Sequence, residues 1–192
     1  MKRLRHKIMM LRYKLVPTDR LIERIAEPGK LGAGHTLIDV LKERLAHQDG
    51  SLEGVDWSGI ALNDVLLSSC RLARAKFCGA ELRGAYFGYS NLVSANFAKA
   101  DLREAHFREA QLRGANFTGA NLRGANFARA DLQGVSFAEA DLTDANFWGA
   151  DLQNARLTDC NLPAAVAEVI TALQAENSDV SQRLDIGKAP QD

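Results

Sequence analysis

Large apolar residues recur at every fifth position through the middle of the chain. From Leu52 to Leu162, every position whose number ends in 2 or 7 is apolar, which gives 23 consecutive centres: 14 Leu, eight Phe and Trp57. The residue two places before each centre is small, and it is Ala in 15 cases; Asp or Asn directly precedes 12 of the centres. A period of five matches neither the two-residue period of a β-strand nor the 3.6-residue period of an α-helix.

A coil made of short extended segments and corners satisfies this period. Residues two apart in an extended chain point the same way, so Ala110 and Leu112 face one interior. The next inward residue, Ala115, comes three residues later, and the chain therefore turns a corner at residues 113–114. Gly often occupies this corner position and tolerates tight dihedral angles. The pattern predicts stacked coils whose backbones pair at about 4.8 Å.

These units, such as ANFTG, ANLRG and ADLQG, resemble the pentapeptide-repeat family, whose motif is A-(D/N)-L-x-x. The resemblance covers residues 50–164 without a break. It implies an all-β solenoid, a right-handed quadrilateral β-helix of nearly six coils with four pentapeptides per coil, about 27 Å long. Columns of like side chains are then expected to stack in the interior. The expected core residues are Phe77, Phe87, Phe97, Phe107, Phe117, Phe127, Phe137, Phe147, Leu82, Leu92, Leu102, Leu112, Leu122, Leu132, Leu142 and Leu152.

The flanking segments carry no repeat. Residues 1–49 are predicted to be a helical N-terminal segment and cap with a basic leader, and residues 165–192 a C-terminal helix with a loose tail. The C-terminal helix is expected to cap the last coil or to form a homodimer. Residues 2–15 combine an apolar helical face with six basic residues. This leader either docks on the fold or on a second copy, or contacts an anionic surface such as a membrane.

Charge and cysteine content narrow the class of protein. The 24 basic and 24 acidic residues cancel, so direct nucleic-acid binding is not expected. No apolar run is long enough to span a bilayer, and we expect a cytoplasmic protein. Cys70 and Cys160 take the small inward position and are expected to be buried, whereas Cys78 lies at a corner and is expected to be exposed.

The repeat offers no apparatus for catalysis. The histidines and cysteines lack metal-ligand spacing, and a coil filled with side chains has no pocket, so no enzyme activity, metal or cofactor is expected. The flat sides are instead rigid surfaces for a protein partner. One side carries Tyr, Trp and Arg, the residue types that dominate binding hot spots. The candidate partner-binding residues are Tyr86, Tyr89, His106, Arg108, Arg129 and Trp148.

The leading hypothesis is a non-catalytic protein–protein interaction scaffold whose partner the sequence does not identify. The family resemblance implies an alternative, since some members are rods that imitate B-form DNA, bind DNA gyrase and protect it. Such mimicry needs a strongly acidic surface, whereas the repeat has 13 acidic residues against 11 Lys or Arg. A second alternative is a membrane-associated scaffold anchored by residues 2–15.

Overall fold

The computed structural model describes residues 52–163. The predictions made for residues 1–49 and 165–192, including the two caps, the homodimer and the membrane contact of residues 2–15, lie outside the described residues. Residues 52–163 form a coil in which 18 parallel β-bridges each join residues 20 positions apart, as between Tyr86 and His106. One coil therefore takes four pentapeptides, as the resemblance implied.

The coils pair through isolated bridges. Within residues 52–163 no segment is long enough to form a regular strand or helix, so the expected β-solenoid has no strands in the usual sense. The reason is the corner at every fifth residue, which leaves a single residue, in nearly every unit the one before the centre, to form a bridge. Further backbone bonds join the coils, such as the one from the Leu112 N–H to the Asp131 carbonyl at 2.8 Å.

Each pentapeptide ends in a β-turn. At residues 112–115 the Ala115 N–H donates to the Leu112 carbonyl at 2.9 Å, and Gly114 has a φ of +64°. A first-to-fourth hydrogen bond and a positive φ at the third residue are the features of a type II turn. Nine glycines and 13 other residues adopt this positive φ, so the corner does not depend on glycine. The coil imposes the turn, at a cost of about 1–2 kcal/mol for a residue with a side chain.

Two phenylalanine columns fill the centre of the rod. Within a column, neighbouring rings stack with centroids 4.8–5.3 Å apart. The two columns stand on opposite sides and meet edge to face at 5.5–6.0 Å. All eight Phe are buried, as are the eight Leu expected in the core on the other two sides. Trp57 precedes the first column and contacts Phe77 at 5.7 Å.

The Asp or Asn before a centre caps the following corner. The Asn126 Oδ1 accepts the Ala128 N–H at 2.9 Å, and the Asn146 Oδ1 accepts the Trp148 N–H at the same distance. Short polar side chains commonly bond the backbone two residues on in this way. The corner N–H has no acceptor in the turn or in the neighbouring coils. The preference of the repeat for Asp and Asn thus has a local cause.

The three cysteines differ from their expected exposure. Cys70 and Cys160 take the inward position but are only half-buried. The turn that ends at Cys70 is held open by the hydroxyl of Ser90, and Cys160 belongs to the last coil of the described part. Cys78 is half-buried rather than exposed, because its Sγ lies 4.0 Å from the Asn96 carbonyl of the next coil.

Candidate binding surface

The exposed apolar side chains gather on one of the four sides of the rod. Within residues 52–163 the large hydrophobic residues that are exposed are Leu66, Tyr86 and Tyr89, at 55%, 41% and 56%. All three flank the column that contains Phe87. We call the outward residues of the units centred at 67, 87, 107, 127 and 147 the aromatic side. The six candidate partner-binding residues belong to it, and Leu66 adds a seventh that the sequence reasoning missed.

Tyr86 and His106 form one part of the aromatic side. They occupy equivalent positions in adjacent coils, and their rings stack with centroids 4.4 Å apart. Burial lowers the pKa of His106, and the nearby charge of Glu104 partly opposes this shift, so the imidazole is neutral at pH 7. Leu66 pairs with Tyr86 in the preceding coil. Three consecutive coils therefore present Leu, Tyr and neutral His in one line.

The basic residues of the aromatic side converge on one acid. The Glu109 Oε1 lies 3.4 Å from the Arg108 Nε and 3.8 Å from the nearer guanidinium nitrogen of Arg129. The Arg129 guanidinium also lies 6.0 Å from the centre of the Trp148 ring, within cation–π range. Two Arg against one Glu leave a formal charge of +1. Glu109 thus links two consecutive coils, Arg129 contacts Trp148 of the third, and the side keeps a basic end next to its aromatic end.

Tyr89 occupies a corner position that disfavours it. Its φ is +61°, and it is the one aromatic residue among the 22 positive-φ corner residues of the described part. Gly88 precedes it, so no side chain lies between the rings of Tyr86 and Tyr89 along the outer contour. A Cβ added at Gly88 would lie 3.3 Å from the Arg108 carbonyl oxygen. The close approach of the next coil therefore favours glycine here.

The aromatic side also lacks caps on its corners. In three consecutive coils an apolar or aromatic residue replaces the capping Asp or Asn, and the corner N–H has no acceptor within residues 52–163. These corner N–H groups belong to Ser68, Gly88 and Arg108. None of the other three sides of the described rod loses the cap in three successive coils. The sequence signal was the departure from Asp or Asn at positions 66, 86 and 106.

Metal-binding clusters and membrane-spanning helices are absent from residues 52–163. No group of three or more His, Cys, Asp or Glu side chains in the described rod could hold a metal ion. No helix in residues 52–163 is long and apolar enough to cross a membrane. The pKa of the Cys160 thiol is raised, mainly by burial, which disfavours the reactive thiolate.

Comparison with known families agrees with the repeat. A model of the pentapeptide repeat region matches residues 60–137, and a model of eight pentapeptide repeats matches residues 120–159. The chain is a pentapeptide-repeat protein. Pentapeptide-repeat proteins fold as right-handed quadrilateral β-helices, and the 20-residue spacing of the bridges fits that form. No curated protein matches this pentapeptide-repeat protein.

Solved structures of three pentapeptide-repeat proteins illustrate the range of similarity. HetL of the cyanobacterium Nostoc, which is involved in heterocyst differentiation regulation, is 28% identical over 59% of this chain and 54% of its own, with a TM-score of 0.57. The chain thus spans about half the length of HetL. A thylakoid-lumen protein of Arabidopsis thaliana is 29% identical over 65% of this chain and 74% of its own, with a TM-score of 0.42. Full-length QnrB1, a plasmid-mediated fluoroquinolone resistance protein, is 19% identical over 66% of this chain and 84% of its own, with a TM-score of 0.24. The last two superpose too poorly to bear on function.

Proposed function

We propose that this pentapeptide-repeat protein is a non-catalytic protein-interaction scaffold that binds its partner through the aromatic side. The observation that supports the proposal is that Leu66, Tyr86 and Tyr89, the exposed large hydrophobic residues of the described rod, all lie on that side. Clustered exposed apolar residues mark interaction sites on soluble proteins, and Tyr, Trp and Arg dominate binding hot spots. The side spans four coil steps, about 19 Å, on a rigid backbone.

Ion pairs on the most acidic side of the rod interrupt its negative charge. They favour the scaffold proposal over protection of gyrase by DNA mimicry. The outward residues of the units centred at 62, 82, 102, 122 and 142 include six acids and three Arg, a formal charge of −3. All three Arg pair with acids of the same side, which interrupts the negative surface. The pairs are Arg83–Glu104, Arg103–Asp101 and Arg123–Asp141. The hydrogen bond from Arg103 lowers the pKa of Asp101, so both charges persist at neutral pH.

Affinity capture with two matched sets of variants tests the proposal. Tagged protein is used to recover partners from the cells that produce it, and recovery is quantified for the wild type and each set. The first set, on the aromatic side, is Tyr86→Ala, Tyr89→Ala and Arg108→Ala. The second set, on the acidic side, is Asp101→Ala, Glu104→Ala and Asp144→Ala. We expect loss of the partner only with the first set. Loss only with the second set would refute the proposal and favour a charge-based, DNA-mimicking function.

A further inference from the structure

We propose that the aromatic side binds a proline-rich segment in the polyproline II conformation that carries acidic residues. This inference rests on the proposed function and specifies the chemistry of the partner. It follows from the hydrogen-bonding groups that the side presents, from the placement of its rings and from its charge.

The aromatic side presents several hydrogen-bond donors that have no acceptor within residues 52–163. The N–H groups of Ser68, Gly88 and Arg108 lack acceptors in residues 52–163. The Trp148 Nε1 and the hydroxyls of Tyr86 and Tyr89 likewise have no bond within the described coils. In contrast, Glu109 is engaged by two Arg side chains. A partner that lies on this surface is favoured if it supplies acceptors for these N–H groups.

The backbone carbonyls of the side are already used. The His106 carbonyl accepts the Phe87 N–H at 2.7 Å, and the Arg108 carbonyl accepts the Tyr89 N–H at 3.0 Å. Equivalent bonds engage the carbonyls at positions 86 and 88 in the coil before. A partner strand would need acceptors for its own N–H groups, so β-strand addition is disfavoured. A proline-rich segment avoids this problem, because proline has a carbonyl but no N–H.

The spacing of the coils suits a polyproline II helix that runs along the rod. This helix has three residues per turn and rises about 3.1 Å per residue, so like positions recur at about 9.3 Å. Two coil steps measure about 9.6 Å. Ser68 and Arg108 are separated by two steps, as are Tyr89 and Arg129. The carbonyl groups at every third residue of the ligand can therefore accept hydrogen bonds from the N–H groups at alternate corners of the rod.

The rings and charges set the expected side chains of the ligand. Proline-rich segments dock between exposed aromatic rings, and Tyr86 and Tyr89 stand on either side of the bare Gly88. Arg129 lies two coils further on and is more than half exposed. Glu109 neutralises only one of the charges of Arg108 and Arg129, so a net positive charge remains there. A ligand with proline against the tyrosines and an acid three residues away would satisfy both groups.

Synthetic peptides provide the test. Fluorescence anisotropy would compare a labelled peptide of about ten residues built from Pro-Pro-Glu triplets with a peptide of Ala-Ala-Glu triplets. The second peptide keeps the acids but has an N–H group at every residue and lacks the fixed φ that proline imposes. We expect the proline peptide to bind at least about tenfold more tightly. A Pro-Pro-Lys peptide and a single-stranded oligonucleotide are expected to bind more weakly than the Pro-Pro-Glu peptide.

Two substitutions locate the binding on the aromatic side. Tyr86→Asn restores the corner cap found at Asn126, and it removes both a ring and the Gly88 donor. Tyr89→Gly removes the second ring and relieves the positive-φ strain, so the folded protein is expected to be at least as stable. Both variants should weaken binding of the Pro-Pro-Glu peptide about tenfold or more. Arg113→Ala, on a different side, is the matched control. In the wild type, the peptide should shift the amide resonance of Gly88, or those of Ser68 and Arg108, in an NMR titration.

Several outcomes would overturn the inference. Equal binding of the two acidic peptides, tighter binding of the oligonucleotide, or unchanged amide resonances at all of Ser68, Gly88 and Arg108 would each exclude a polyproline ligand. If the peptides fail while the Tyr86 and Tyr89 variants still lose the captured partner, only this inference is wrong and the scaffold function stands. If those variants also retain the partner, the proposed function fails with it.

Discussion

Replacing Ser90 by alanine is expected to destabilise the protein, although alanine is the commonest residue at this position of the repeat. Ser90 is fully buried, and its hydroxyl donates to the Leu67 carbonyl at 2.6 Å and accepts the Cys70 N–H at 3.0 Å. In most other turns of the rod the fourth N–H bonds the first carbonyl directly, at 2.9–3.4 Å. The Ser90 hydroxyl therefore stands in for the missing bond of the turn at residues 67–70.

The size of the effect follows from these two hydrogen bonds. Each typically contributes about 0.5–1.5 kcal/mol, so Ser90→Ala should lower the free energy of unfolding by about 1–3 kcal/mol. The lower end applies if the turn closes and Cys70 bonds Leu67 directly. The upper end applies if the surrounding coils hold the turn open and leave a buried donor and acceptor without partners.

Denaturant unfolding monitored by circular dichroism measures the change, provided that the slope m is the same for each variant. Ala130→Ser is the matched control, since it places a hydroxyl at the same inward position above the turn at residues 107–110. That turn already has its own bond, from Ala110 to Phe107 at 3.0 Å, so the added hydroxyl should also destabilise. An increase in stability with Ser90→Ala would refute the bridging role of the hydroxyl.

Three further predictions concern the core and the aromatic side. Phe117→Ala should lower the free energy of unfolding by about 3–5 kcal/mol, because the ring is buried between two stacked rings. Asn121→Ala should lower it by under about 1.5 kcal/mol, since it removes one corner cap. Equal losses in denaturant unfolding would contradict the packing. Trp57→Phe should change the free energy of unfolding by under about 1 kcal/mol, because the lost volume is offset by removal of a buried Nε1–H that has no acceptor in the described coils. A loss of stability as large as that of Trp57→Ala would contradict this compensation. Because burial lowers the pKa of His106 below 6.5, the unfolded chain binds more protons just below that pH, and stability should fall as pH drops through this window. His106→Asn should flatten that part of the pH profile of the melting temperature, and an unchanged slope would show that other groups cause it.

The coil and its interior could be predicted from the sequence, because every unit repeats the same inward pair. The burial of Phe97, Phe117 and Leu112 follows from the five-residue period, whereas the 20-residue spacing of the bridges follows from the four-unit coil that the family resemblance implied. The absence of regular strands was less apparent, since it depends on how few residues lie between corners. The positive φ of residues such as Glu104 and Arg129 was also not expected, because the pattern associated corners with glycine.

The polar interactions could not be predicted, because they depend on which residues meet between coils. Ser90 looks like a conservative replacement of alanine, and only the three-dimensional stack places its hydroxyl against residues 23 and 20 positions earlier. The link from Arg108 through Glu109 to Arg129 depends in the same way on the stacking of coils. The candidate residues of the aromatic side could be identified from their types, whereas their uncapped corners required the hydrogen bonds of the neighbouring units.

Two residues of the aromatic side are less favourable for the fold than the residues found at the same positions of other units. Tyr86 stands where Asn or Asp caps the corner in other units, which forgoes a bond of about 0.5–1.5 kcal/mol. Tyr89 stands where glycine is free of strain, at a cost of about 1–2 kcal/mol. Neither side chain offsets this by joining the core, since both are exposed. Within the isolated rod, the stacking of Tyr86 on His106 offsets part of this cost. Tyr89 takes part in no ring stack within the described coils. The proposed partner, which would cover the rings and accept hydrogen bonds from the open N–H groups, would supply a physical rationale for both residues.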